Sequence, residues 1–109
     1  MNGLAAFERN PFFHYSPGEG GGLLHDPHNK RTIWMDPHAV RLWEFLALPR
    51  GESDFACFCG AFVYAALPVL RALELIVDAR HVPVRCFDPP LTAAPRFEVL
   101  DGPPLFPRD

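Results

Sequence analysis

The chain reads as an α+β domain: a three-stranded antiparallel β-sheet, then three α-helices, then an extended proline-rich tail. Three observations predict this order. Aromatic and β-branched runs separated by turn residues fill the first third of the chain, as the strands of a hairpin sheet require. The dipeptide Asp36-Pro37 then opens a stretch in which apolar residues recur at helical spacing. Finally, seven of the 13 prolines (Pro83, Pro89, Pro90, Pro95, Pro103, Pro104, Pro107) lie beyond residue 82, where each removes an amide donor that a helix would use.

Element by element, Phe12 to Ser16 predicts the first strand and Pro17-Gly18-Glu19-Gly20 its turn. Gly21 to His25 and Arg31 to Met35 predict the second and third strands, joined through Asp26-Pro27-His28-Asn29-Lys30. In the third strand Thr32 and Trp34 share one face, while Arg31, Ile33 and Met35 share the other. Asp36 is a good N-cap and Pro37 suits the first helical position, with Met35 and Val40 placed as a hydrophobic staple. Ala39, Leu42, Trp43 and Leu46 give that first helix one buried face, and Pro49-Arg50-Gly51 ends it.

A second, short helix is expected from the cap Ser53 and the spacing of Phe55, Phe58, Cys59 and Phe62. A third is expected from about Pro68 to Arg80. Its stripe of Leu70, Leu73 and Val77 is widened by Val69 and Ile76, which leaves only Arg71, Glu74 and Asp78 as a narrow polar strip. So wide an apolar surface suits either a centrally buried helix or the wall of a binding groove.

With 109 residues, 49% of them hydrophobic, the chain supports one core, so we divide it into an N-terminal arm (1–11), one domain (12–82) and the tail (83–109). The tail carries Phe87, Leu91, Phe97, Val99, Leu100, Leu105 and Phe106, too many apolar residues for a solvated linker. It is expected to lie extended over this domain or over a partner, and the fold is expected to survive without residues 88–109.

A net charge of −3 and ten scattered Lys and Arg residues leave no electrostatic footprint for a phosphate backbone, so no nucleic-acid partner is expected. No apolar run approaches the roughly 20 residues that span a bilayer, and the N-terminus lacks a secretion signal. A soluble, cytoplasmic protein without membrane contact is expected.

Three short strands followed by three helices, with the break at a hairpin and a capped Asp-Pro, is also the order of a known family. From about Phe12 to Val82 the chain resembles the PqqD-like domains, the precursor-peptide recognition elements of ribosomal peptide natural-product pathways. The residues that carry the resemblance are Gly22-Leu23-Leu24-His25-Asp26, Thr32-Ile33-Trp34-Met35 and the helix Pro37 to Leu46, followed by Val69 to Val77 for the third helix. The end of that helix departs from the family: its glycine-plus-aliphatic ending is replaced by Asp78-Ala79-Arg80-His81-Val82.

The resemblance implies a winged helix-turn-helix-like fold and a mode of binding. In the family the third strand is a sheet edge on which an incoming leader peptide pairs as an extra strand, with the third helix as the opposite wall. Carried over by position, Arg31, Thr32, Ile33, Trp34 and Met35 would pair with the peptide. Val69, Leu70, Arg71, Leu73, Glu74 and Val77 would face it from the helix. Each has a plainer reading beside this one: Trp34, Leu70 and Leu73 as core, Arg71 as a solvated helix charge. The implied partners are a precursor leader peptide and a peptide-modifying enzyme, either a multinuclear-iron or a radical S-adenosylmethionine enzyme, which would hold any metal itself.

Other chemistry has local explanations. His25, His28 and His38 sit beside Asp26-Pro27 and Asp36-Pro37, but those dipeptides already serve a turn and a helix start, so no metal site is expected. Cys57, Cys59 and Cys86 lack zinc-ribbon or disulfide-scaffold spacing. No nucleophile sits beside a base, and Gly20-Gly21-Gly22 leads into a strand rather than a helix, so neither catalysis nor a bound cofactor is expected. Two alternatives stay open: a stable accessory subunit of an iron-dependent or radical S-adenosylmethionine enzyme, and a winged helix-turn-helix DNA-binding regulator. For the latter, only Arg71 and Arg80 on the second and third helices are suited to reading base edges.

Overall fold

A computed structural model describes residues 6–100. In chain order the elements are β1 (Ala6–Arg9), β2 (His14–Gly18), β3 (Gly21–Asp26), β4 (Arg31–Met35), α1 (Pro37–Phe45), β5 (Arg50–Gly51), α2 (Glu52–Cys59), a 3-10 turn (Gly60–Phe62), α3 (Val63–Ala72), β6 (Ile76–Asp78) and β7 (Phe97–Leu100). They build two antiparallel sheets, one ordered β2-β3-β4-β7 and the other β5-β1-β6. The α+β class stands, while the three-strand, three-helix arrangement does not. The helical part is α1 plus one long segment in which α2, the 3-10 turn and α3 run end to end.

The hairpin sheet forms where turn chemistry allows it. Gly20 takes φ of +73°, a left-handed conformation that suits glycine, and the strands pair from Gly18↔Gly21 to His14↔His25. A Cβ on Gly21 would run into the Met35 carbonyl oxygen, so the bend must be glycine. The Asp26 carboxylate closes the next loop by accepting the amides of His28 and Asn29 at 3.1 and 3.2 Å. Alternation then sends Leu24, Ile33 and Met35 into the core, where α1 packs on them with Ala39, Leu42, Trp43 and Leu46. Asp36 caps α1 by accepting Ala39 N–H at 2.8 Å.

The second helical segment departs from expectation at both ends. It begins at Glu52 after Gly51 rather than at a Ser53 cap. Phe55 and Phe58 anchor it, Phe58 stacking on Phe45 at 4.3 Å. Pro68 lies inside α3 instead of starting a helix. It falls on the exposed face with Tyr64, whose carbonyl it leaves without the usual helical donor. The helix stops at Ala72, well short of Arg80: Glu74 turns to φ +61°, and Leu75 N–H bonds back to Leu70 C=O at 2.8 Å. Residues 76–78 become β6 because β1 offers them a strand to pair with, Glu8 opposite Val77. The expected N-terminal arm therefore supplies the middle strand of a sheet.

The segment Glu52–Ala72 spans 21 residues and contains an 18-residue window of mean hydropathy 1.7, long and apolar enough by composition to cross a membrane, a window the sequence reading did not single out. Here, however, Phe55, Phe58, Cys59, Ala66 and Leu70 of this segment lie in the domain core.

Residues 83–96 form an extended strap across the domain. Val84 N–H donates to Pro49 C=O and Leu91 N–H to Phe58 C=O, both at 2.8 Å, and the Leu91 side chain is only 6% exposed. The Arg50 guanidinium, itself buried, donates to the carbonyls of Val84 and Arg85 at 3.0 and 3.2 Å. Arg41 reaches the Pro89 and Pro90 carbonyls. Through residue 100 the tail thus lies over this domain rather than away from it.

Candidate functional site

The site predicted from sequence is the flank of β4. The strand has the expected limits and faces: Ile33 and Met35 are buried, Thr32 and Trp34 half-buried on the opposite side. Its flank is not free. β7 pairs with it antiparallel, Thr32↔Leu100, Ile33↔Val99, Trp34↔Glu98 and Met35↔Phe97. The expectation of an open edge at residues 31–35 is corrected accordingly: the chain's own tail satisfies the amide and carbonyl groups that an edge would leave unpaired.

β7 is held mainly by its start. Phe97 packs against the core beside the buried Met35, and Arg96 is bonded to Asp36, the residue that follows β4. Toward its end the hold weakens. Val99 stands opposite the fully buried Ile33, yet among the described residues it is left 49% exposed.

The helix-side residues scatter. Leu70 is fully buried core. Val69 and Leu73 are half-buried, and the Leu73 carbonyl accepts the Arg31 guanidinium at 2.8 Å, tying the start of β4 to the end of α3. Arg31 is also paired with Asp26 at 3.2 Å, so its charge is engaged within the domain. Arg71 lies over the Phe7 ring at 5.2 Å, toward the other sheet. Glu74 and Val77 leave the proposed helix wall altogether, Glu74 at the left-handed residue beyond the helix and Val77 on β6.

The other outer strand of this sheet, β2, is a poor docking edge. It contains Pro17, which has no amide to offer a guest. A cleft of about 520 Å³, lined by Phe12, Asp26, His28 and Glu74 among others, opens beside the β3–β4 loop. Its Asp26 carboxyl would be raised by burial, but the Asn29 side chain and amide, Arg31 and the His28 amide outweigh this and hold it below the ordinary carboxylate range. Among the described residues no three His, Cys, Asp or Glu side chains gather as a metal site would need.

Sequence reasoning missed Asp36, Arg41 and Arg50 as anchors of the strap. A signal for β7 was present in the alternation Phe97-Glu98-Val99, flanked by proline-rich sequence on both sides. Comparison with protein-family models, curated proteins and solved structures returns no match.

Proposed function

We propose that the chain is a non-catalytic adaptor that captures an extended peptide by strand addition on β4, the guest taking the place of β7. The single observation that supports it is the β4–β7 pairing itself: this flank accepts a short extended segment through its backbone, with one apolar side chain, Phe97, seated on the core. Backbone pairing is tolerant of guest sequence, as a leader-capturing protein requires. The guest class is the leader of a ribosomally made precursor, and the partner is its modifying enzyme, of the multinuclear-iron or radical S-adenosylmethionine type. The accessory-subunit reading draws on a different feature, the exposed helical face around Tyr64, which is 88% exposed.

The test uses a fluorescent synthetic peptide with the chain's own residues 94–102 as a probe guest. Full-length protein carrying Phe97→Asp, which drives β7 off the core, should bind the probe with a Kd of about 10–100 μM. The unsubstituted chain should bind it at least ~10-fold more weakly, because the tethered β7 competes at an effective concentration in the millimolar range. A folded Phe97→Asp protein that ignores the probe sinks the proposal.

A further inference from the structure

Where the strap crosses α2, two thiols share a cleft. Arg85 on the strap pairs with Asp54 on α2 at 3.1 Å, and Leu91 N–H meets Phe58 C=O at 2.8 Å, so the strap follows the helix between these two points. Cys86 comes next after Arg85, and Cys57 lies three residues beyond Asp54, on the same side of the helix one turn on. Both cysteines line one cleft of about 230 Å³ with Asp54, Phe58, Asp88 and Pro90. The two thiols therefore face one shared space between the strap and α2, and a bond between them requires the strap to settle until their Cα atoms lie within about 7 Å.

We infer that Cys57 and Cys86 form a reversible intramolecular disulfide that fastens the strap to α2. Cys57 is exposed and Cys86 half-buried, so a small oxidant reaches the pair. Arg85 neutralises Asp54, one of the two carboxylates on the cleft, and so eases the repulsion a thiolate would feel there. Cys59 is set apart: it is fully buried, and burial pushes its thiol up to about 12, which leaves it without thiolate at neutral pH.

The oxidant is a small disulfide of the glutathione class. One protein thiolate attacks it and releases one glutathione thiol, forming a mixed disulfide. The second protein thiolate then displaces the other glutathione. The two protein thiols lose two electrons and two protons in total, and the oxidant becomes two thiols. The inferred site stands on the cleft alone; only its consequence, that an oxidised strap keeps β7 on β4 and excludes a guest, rests on the adaptor reading.

The experiment equilibrates the full-length chain with oxidised and reduced glutathione, natively and in guanidinium chloride, and reads mass and peptide maps. Native protein should become about 2 Da lighter, yield one linked peptide pair joining Cys57 to Cys86, and keep Cys59 as a thiol. It should do so at a glutathione ratio at least ~10-fold less oxidising than the denatured chain, where chain flexibility alone sets an effective concentration near millimolar. Closing this loop should raise Tm on the order of 10 °C. Cys57→Ser and Cys86→Ser should each abolish the lighter species, and Cys57→Ser, a change at an exposed position, should leave the Tm of the reduced protein unchanged. Equal bridging in native and denatured protein, a bridge through Cys59, or bridges only between chains would overturn the inference. Since no guest is present, these outcomes are independent of whether the chain binds peptides.

Discussion

Asp36 and Arg96 are joined by two hydrogen bonds of opposite sense: Asp36 N–H donates to the Arg96 carbonyl at 3.1 Å, and Arg96 N–H donates to Asp36 Oδ1 at 3.0 Å. The same Oδ1 accepts Ala39 N–H and caps α1. One carboxylate therefore starts a helix and places the strand that follows the strap, so that β7 enters in register with β4.

Asp36→Ala should accordingly cost more than a cap. Losing a cap typically costs about 1 kcal/mol, and a charge-assisted hydrogen bond contributes roughly 1.5–3 kcal/mol, so a total of about 2–4 kcal/mol is expected by urea unfolding. Hydrogen exchange should separate the two roles. The amides of Phe97 to Leu100 should lose protection along with those of the first turn of α1, whereas a cap acting alone would leave β7 protected.

Arg50 has the opposite charge and a comparable role. It is buried, lies over the Phe45 ring at 4.7 Å, and donates to Phe45 C=O at the C-terminal end of α1 as well as to the strap. Among the described residues no carboxylate pairs with it, so carbonyl groups and an aromatic face satisfy the charge. Arg50→Met keeps the apolar stem but orphans those carbonyls, and should destabilise the protein by about 2–4 kcal/mol. Arg50→Lys should recover less than half of the loss, since one ammonium cannot span the helix end and the strap together. Limited proteolysis should then cut first near Val84 to Phe87.

Glu74 marks a place where the protein can be improved. It occupies the left-handed position after α3 with φ +61°, where a side chain is strained and glycine is not. Its backbone carbonyl accepts the Asn10 side chain at 2.9 Å, a bond that any residue can supply. Glu74→Gly should raise stability by roughly 0.5–1 kcal/mol, read as an increase of several degrees in Tm. A fall in Tm would show that the carboxylate makes a contribution of its own.

Glu74 also shows how far the fold was legible in the sequence. The hairpin, the register of residues 31–35 and the first helix follow from local chemistry: turn glycines, strand alternation and the Asp36-Pro37 cap. The end of α3 has no such marker, because neither glycine nor proline follows Ala72 before Pro83. It is set by pairing of Ile76 to Asp78 with Phe7 to Arg9, a contact remote in sequence that helical periodicity cannot register. Pro68 misled for a related reason: proline favours a helix start, and only the packing of Phe55, Phe58 and Ala66 carries the helix through it. For the candidate site, β4 was readable and its occupant was not: the apolar tail was expected to lie extended over this domain or a partner, and the short alternation Phe97-Glu98-Val99 does not say which strand it pairs with.

Asp26 gives the pH dependence a sign. Burial would push its carboxyl up, yet the donors of Asn29, Arg31 and His28 prevail and its folded value lies below the ordinary 3.8. A depressed carboxylate contributes stability that is fully present above its unfolded value and lost as the pH falls through the folded one. The domain should therefore weaken on acidification below about pH 4, as the clamp on the β3–β4 loop is protonated. Asp26→Asn should cost about 1–3 kcal/mol at pH 7, because neutral acceptors hold these donors less strongly. It should also flatten the acid limb of the stability curve. Urea midpoints of both proteins between pH 2 and 7 check this: curves that converge in acid support the clamp, and curves that stay parallel refute it.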